Sequence, residues 1–259
     1  GDDEDRVLVR ETGAPTYIAS DLAYARDKFE RGFDRVIYVW GPDHAGYVPR
    51  MRAAVEAIGI DLHRVEILIS QIVRFLRGGE SVRLSKRKGA IVNLTDLLEE
   101  VGRDAARFHF LTRTIDAHMD FDLDLAARQA SENPVYYVQY AHTRTCGVLR
   151  KAEEGGAGVP PVAEAKLALL THPDEQALLR RLADFPAELQ VAVQTRGPHM
   201  LTAFGRELAA LFHQFYTTCH VLDSGAPDLT GARLCLVQAT RIVLATVCRL
   251  LGIDAPERM

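Results

Sequence analysis

Residues 34–69 read DRVIYVWGPDHAGYVPRMRAAVEAIGIDLHRVEILI. The run from Val36 to Trp40 is apolar, β-branched and short, and Gly41-Pro42 ends it. Those features predict a buried strand. A helix is predicted over 48–58, closed by Gly59, and a second strand over 64–69. Strand, loop, helix and strand in succession form a βαβ unit with parallel strands. Ligands of such sheets sit at the C-terminal ends of the strands, which singles out the loop 41–47. Gly41 and Gly46 let backbone approach a ligand. Asp43 and His44 bring polar atoms to the same edge, although a turn with a capping Asp explains these residues too.

Toward the N-terminus, two short strands are predicted over 7–10 and 16–19, around the turn residues Glu11-Thr12-Gly13-Ala14-Pro15. Ser20 is expected to cap a helix over 21–31 with Leu22, Ala25 and Phe29 on its apolar face. Tyr17 and Asp21 flank the second strand's end. A carboxylate accepts parallel N–H bonds from a guanidinium, and a phenol beside it adds a hydroxyl or a ring face. A first-turn acid facing the helix dipole is the alternative.

Toward the C-terminus comes a basic loop, RLSKRKG at 83–89. Arg83, Lys86 and Arg87 offer positive charge, and Ser85 a hydroxyl. The phosphate-binding pattern G-x-x-x-x-G-K-[ST] is absent. A cationic loop can still neutralise charge that develops on phosphate oxygens. A solvated charged turn is the competing explanation.

Beyond Asn93 no strand signal is found. Helices are predicted over 96–101, 104–112, from Pro134 onward, and over 173–185, 200–219 and 231–251, with an acidic connector at 116–124 and a loop at 153–161. The chain therefore divides into an α/β portion and an all-helical portion. In 134–150, Tyr136, Tyr137 and Tyr140 alternate with Gln139, His142, Arg144 and Arg150. Aromatics interleaved with cations suit single-stranded RNA; a core aromatic stripe explains the tyrosines as well.

Composition narrows the classes. The 259 residues are 47% apolar and 25% charged with a net charge of −4, so any nucleic-acid contact must come from local basic patches. Cys146, Cys219, Cys235 and Cys248 form no C-x-x-C pair and read as buried thiols of a reducing cytoplasm, with no zinc site. The acidic start lacks a signal-peptide core, and no apolar run is judged long enough to span a bilayer, so no membrane association is expected. The first residue is Gly1, not Met, which suggests a piece of a longer protein.

Five stretches together resemble the arginyl-tRNA synthetases: APTYIASDLAY (14–24), FDRVIYVWGPDHAGYVPRM (33–51), VRLSKRKGAIVNLTDLLEEVGRDAARF (82–108), ENPVYYVQYAHTR (132–144) and LLGIDAPERM (250–259). They occur in family order. The resemblance implies ATP-dependent activation of arginine and its transfer to the 3′ end of tRNA(Arg). It also implies an α/β plus all-α fold: the second half of a Rossmann-like class I catalytic domain over 1–115, then a helical-bundle anticodon-binding domain over 116–259.

Residues 83–87 match the class I Lys-Met-Ser-Lys-Ser loop, with Lys86 at the second lysine and Arg83 in place of the first. Lys86, Ser85 and Arg87 are then the catalytic loop. Gly41, Asp43, Arg83 and Lys86 belong to the ATP site, with Mg2+ arriving on ATP. Tyr17, Asp21 and His44 belong to the arginine site. Tyr216 and Met259 match positions that contact the anticodon loop, with Tyr140 and Arg144 alongside. The intact protein is expected to be a cytoplasmic monomer without a metal site of its own. No His-x-Gly-His, the other class I signature, occurs in the sequence. The alternatives are a non-catalytic tRNA-binding fragment and a class I synthetase for another amino acid; Asp21 beside Tyr17 argues against the second.

Overall fold

Val36–Trp40 (β1) and Val65–Ile69 (β2) pair in parallel, Val36 opposite Val65 through Trp40 opposite Ile69, in a computed structural model that describes residues 5–82 and 93–259. Between them lie a 3₁₀ turn, Pro42–Tyr47, and a helix, Val48–Ala57 (α2). The βαβ unit is the one predicted. It follows the helix Tyr17–Glu30 (α1). Leu22, Ala25, Met51, Val55 and Val65 form the core here, with Phe29, Tyr38, Trp40, Tyr47 and Ile67 packed against it. On the opposite face of β1, Ile37 and Val39 are exposed. This first unit runs through Val73 and takes back Ile115–Met119, where the Ile115 carbonyl accepts from the Gln71 amide at 2.9 Å.

The start of the chain differs from the prediction. The stretch 16–19 is not a strand, because α1 begins at Tyr17 and Ser20 lies inside it. Thr16-Tyr17-Ile18 has β-forming residues, but Ile18 continues the buried face of Leu22 and Ala25 by one more turn. The tertiary contact outweighs local propensity. Residues 7–10 make only an isolated bridge, Val9 to Pro15. Thr16 ties that turn down, its Oγ1 donating to the Val7 and Leu8 carbonyls at 2.8 and 3.1 Å.

The second unit holds Arg74–Thr114 and Asp120–Met259. Its sheet has the order β4-β3-β5, from Val73–Arg77 (β3), Glu80–Ser81 (β4) and Met119–Asp122 (β5). Gly78 and Gly79, at φ 59° and 81°, make the β3–β4 turn, which needs left-handed backbone at both central residues. β5 corrects the expectation of no strand after Asn93. Its Met119 and Phe121 are buried while Asp120 faces out to Arg74, whose Nε and Nη2 lie 2.6 and 2.8 Å from its carboxylate. Four residues that alternate among acids carry too little periodicity to stand out.

The helices are Leu94–Val101 (α3), Arg103–Phe110 (α4), Leu123–Ala127 (α5), Pro134–Glu154 (α6), Pro173–Gln194 (α7), Pro198–Thr218 (α8) and Pro227–Leu251 (α9). Asn93 and Asp96 form a reciprocal capping box that starts α3. Asn133 starts α6 from a buried site. Its amide nitrogen donates to the Ala126 and Arg128 carbonyls at 3.0 and 2.7 Å, so its oxygen must accept from His109 Nε2 at 3.2 Å.

α7 runs past the predicted end at Phe185, straight through Pro186. Proline costs a helix one hydrogen bond. Here α7 packs along α8, and Arg181 bonds Glu188 at 3.0 Å across the proline and Glu207 of α8 at 2.9 Å.

α9 also corrects the sequence reading. By length and composition it is apolar enough to cross a membrane. Half of that apolar stretch is nevertheless buried within the bundle, including Leu234, Val237, Leu244, Val247 and Cys248. It is built as a core helix. All four cysteines are buried and unpaired, and burial pushes each thiol up, Cys248 to about 12.

Gly252, at φ 70°, closes α9 in the left-handed conformation. A Cβ there would collide with the Arg107 guanidinium, which donates to the Leu251 carbonyl. Gly252→Ala is therefore expected to cost about 2 kcal/mol, from backbone strain plus a displaced charged hydrogen bond. Urea unfolding checks this: the midpoint should fall with an unchanged slope.

Candidate functional site

Two side-chain groups are assembled, one in each unit. The first lies at the C-terminal edge of β1. Asp21, on α1, accepts from the Tyr47 phenol, with Oη to Oδ2 at 2.9 Å. Tyr47 ends the 3₁₀ turn and packs on Trp40, with ring centroids 5.7 Å apart. Burial, then the bond to Asp21, pushes its phenol up to about 12, so it stays a proton donor through the neutral range.

Trp40 also packs on Tyr38 at 5.5 Å and on the His44 ring at 5.9 Å. The Tyr38 hydroxyl is buried with no hydrogen-bond partner among the described residues, and burial raises its pKa. Lys28 lies over the Tyr24 and Tyr38 rings at 4.0 and 4.1 Å; burial and then Arg31 lower its pKa.

The structure gathers the predicted residues of this edge unevenly. Asp21 is bonded by Tyr47 rather than by Tyr17, which stands 88% exposed one helical turn earlier. His44 is exposed and packs against Trp40 with the rings tilted 48° apart. Gly41 and Asp43 are exposed at the start of the 3₁₀ turn. A Cβ on Gly41 would meet nothing within 4 Å, so the edge is open there. Arg83, Ser85, Lys86 and Arg87 lie outside the described residues. Tyr47, Tyr38 and Lys28 were not singled out from the sequence. Tyr47 sat at the end of the loop 41–47, but its partner is 26 residues away and periodicity does not show it.

The second group lies on α6 and α8. Tyr136 and Tyr140 stack nearly parallel, 7° apart with centroids at 6.1 Å. Arg144 follows one turn later. Its guanidinium lies 4.9 Å from the Tyr140 ring and 4.9 Å from the Tyr216 ring, and Nη2 donates to the Tyr140 hydroxyl at 2.8 Å. An arginine held on two aromatic faces is fixed in orientation while edge N–H groups remain available.

His213 fills the space behind, 4.9 Å from Tyr137 and 5.7 Å from Tyr140. Burial, reinforced by Arg144, lowers its pKa to about 4, so it is neutral at neutral pH. Met259 is 54% exposed and lines the same groove as Tyr136 and Gln139.

The C-terminal tail is held against α6. Gln139 donates to the Asp254 carbonyl at 2.9 Å, and Thr143 to the Pro256 carbonyl at 2.8 Å, from which His142 Nδ1 lies 2.9 Å. Tyr140, Arg144 and Tyr216 are thus brought together from two helices, and Met259 shares a groove with Tyr136. Among the described residues no three His, Cys, Asp or Glu side chains are placed to hold a metal ion.

Both halves match known families. Residues 1–129 match the catalytic domain of class I tRNA synthetases of the arginine type, and residues 138–259 match the DALR anticodon binding domain. Over all 259 residues the sequence is 53% identical to an arginine–tRNA ligase of Moorella thermoacetica. The chain belongs to the arginyl-tRNA synthetase family. An arginine–tRNA ligase of Heliobacterium modesticaldum is 52% identical over 263 residues.

The chain spans 46% of each of these relatives, about half their length. Among solved structures, a Campylobacter jejuni arginyl tRNA synthetase superposes with a TM-score of 0.89 at 36% identity, over all of this chain and 56% of that one. The Thermus thermophilus arginyl-tRNA synthetase gives 0.74 at 25% identity, over 98% and 51%. The α/β portion is therefore part of a class I synthetase catalytic domain, and the helical portion is an anticodon-binding domain fold.

Proposed function

We propose that this chain carries the arginine-reading edge, the basic phosphate-neutralising loop and the tRNA-reading bundle of an arginine–tRNA ligase. The observation that carries the reading is Asp21: a carboxylate at the C-terminal edge of a parallel strand pair, in a chain matched end to end by arginine–tRNA ligases. In this reading Asp21 accepts the guanidinium N–H groups of substrate arginine, and Tyr17 covers it from the solvent side. The arginine carboxylate attacks the α-phosphorus of ATP, the bond to pyrophosphate breaks, and pyrophosphate leaves with Mg2+ as its counter-ion. A terminal ribose hydroxyl of tRNA then attacks the acyl carbon and releases AMP.

Gly41, Asp43 and His44 line the nucleotide and amino-acid edge. Lys86, with Ser85, Arg83 and Arg87, neutralises the charge developing on the phosphates. The division of labour falls near residue 115, with activation before it and tRNA recognition after it. The partners are arginine, ATP and tRNA(Arg), and the protein works as a cytoplasmic monomer. The test is aminoacylation by a polypeptide of the relatives' length containing these 259 residues. Charging of tRNA(Arg) with arginine is expected; charging with a different amino acid in preference would overturn the reading.

On the tRNA side, Tyr216 with Arg144 behind it forms the proposed stacking platform for an unpaired anticodon base, with Tyr140 on the arginine's other side and Met259 as a separate contact from the groove beside Tyr136. Removing one base-stacking aromatic costs about 1–3 kcal/mol. Tyr216→Ala is therefore expected to weaken tRNA(Arg) binding roughly tenfold or more, measured by titration of labelled tRNA at fixed salt. An unchanged Kd would remove Tyr216 from the interface.

A further inference from the structure

We infer that Tyr47 is a positioning residue for amino-acid selection, orienting the Asp21 carboxylate toward the substrate's guanidinium. The inference rests on the reading of Asp21 given above and adds a residue to it. Asp21 sits on a helix surface, where a carboxylate side chain has several rotamers. A guanidinium fork gains its advantage over a point charge only if the carboxylate plane is fixed, since two parallel bonds need one orientation. The Tyr47 phenol supplies that restraint by donating to Oδ2 at 2.9 Å.

Tyr47 is itself fixed. Its ring packs on Trp40, the Arg50 guanidinium lies 5.6 Å from its centroid, and it closes the 3₁₀ turn that opens α2. Trp40 ends β1, so the carboxylate's orientation is referred back to the strand rather than to α1 alone. The phenol keeps its proton over the neutral range, so the restraint is constant there. One carboxylate oxygen is shared with the phenol, while the other remains for the substrate. Because the arrangement selects a planar fork, the chemical class that benefits is a guanidinium, and a primary ammonium gains less.

A plain structural clip between α1 and the turn is the competing explanation, and substrate kinetics separate the two. Tyr47→Phe keeps the ring on Trp40 and removes only the hydroxyl. In an enzyme of the relatives' length, measured by arginine-dependent ATP–pyrophosphate exchange with tRNA present, it is expected to raise the KM for arginine about tenfold. The KM for ATP and kcat should stay within twofold.

On an Asp21→Ala background, Tyr47→Phe should have no further effect on the KM for arginine. A drop in melting temperature with the KM for arginine unchanged would make Tyr47 a structural clip and overturn the inference. A raised KM for arginine in Asp21→Ala with none in Tyr47→Phe would sink this inference alone. A normal KM for arginine in Asp21→Ala would sink both it and the reading beneath it.

Discussion

Asp21→Ala is expected to raise the KM for arginine about 100-fold in an enzyme of the relatives' length, with the KM for ATP and the affinity for tRNA(Arg) near their unsubstituted values. The argument is electrostatic. Truncating one partner of a hydrogen-bonded charge pair in a desolvated site costs about 2–5 kcal/mol, largely because the other charge is left unpaired. Asp21 is half-buried in the free protein, which places the expectation in the lower part of that range. Two cations nearby make the carboxylate's charge matter further. Lys28 and the incoming guanidinium would share the edge, and Asp21, together with Asp27, favours the charged form of Lys28.

Asp21→Asn isolates the charge. It keeps the size and can still accept from Tyr47, but it loses the ionic part of the pair. It should fall between the unsubstituted enzyme and Asp21→Ala. Saturation kinetics in arginine decide the matter: an effect confined to kcat would mean that Asp21 acts on the transition state rather than on the bound side chain.

The sequence made some of this legible for definite physical reasons. β1 and β2 stood out because a buried parallel strand is a short, unbroken apolar run, and Gly41-Pro42 and Gly59 punctuate it. α1 begins four residues before the sequence predicts, because Thr16 and Ile18 favour strands locally while Ile18 is buried on the same helix face as Leu22 and Ala25. β5 was hidden among acids whose purpose is visible only in space: Asp120 pairs with Arg74, and Asp124 accepts from the Gly78 amide at 2.7 Å. Pro186 ended a predicted helix that α8 holds together.

The candidate sites divide in the same way. Tyr140 and Arg144 are one turn apart, so their contact follows from helical spacing. That Tyr216 closes the other side of Arg144 follows only from the packing of α8 on α6. Asp21 could be chosen for its chemistry, but the phenol that holds it belongs to a turn on the far side of β1 in sequence.

The second large effect is expected at Lys86. In the proposed reading Lys86 serves the phosphates and not the arginine side chain, so its loss should appear in the chemical step. When the arginine carboxylate attacks ATP, negative charge builds on the α-phosphate oxygens and on the departing pyrophosphate. An ammonium placed there is worth more in the transition state than in bound ATP, and only such a difference raises kcat. Removing one oriented donor at a developing anion costs about 10²- to 10³-fold in rate. Lys86→Ala should therefore lower kcat for pyrophosphate exchange by about that factor, with the KM for arginine within twofold.

Lys86→Arg keeps the charge but spreads it over a planar fork, so partial recovery is expected rather than full activity. Arg83 provides the contrast within the same loop. It already presents a guanidinium where the class I pattern has a lysine, so Arg83→Lys should be tolerated far better than Lys86→Arg. Single-turnover measurement of adenylate formation reads the step directly. A Lys86→Ala enzyme with normal single-turnover rate and weakened ATP binding would assign the residue to ground-state nucleotide binding instead, because its contribution would then be equal before and at the transition state.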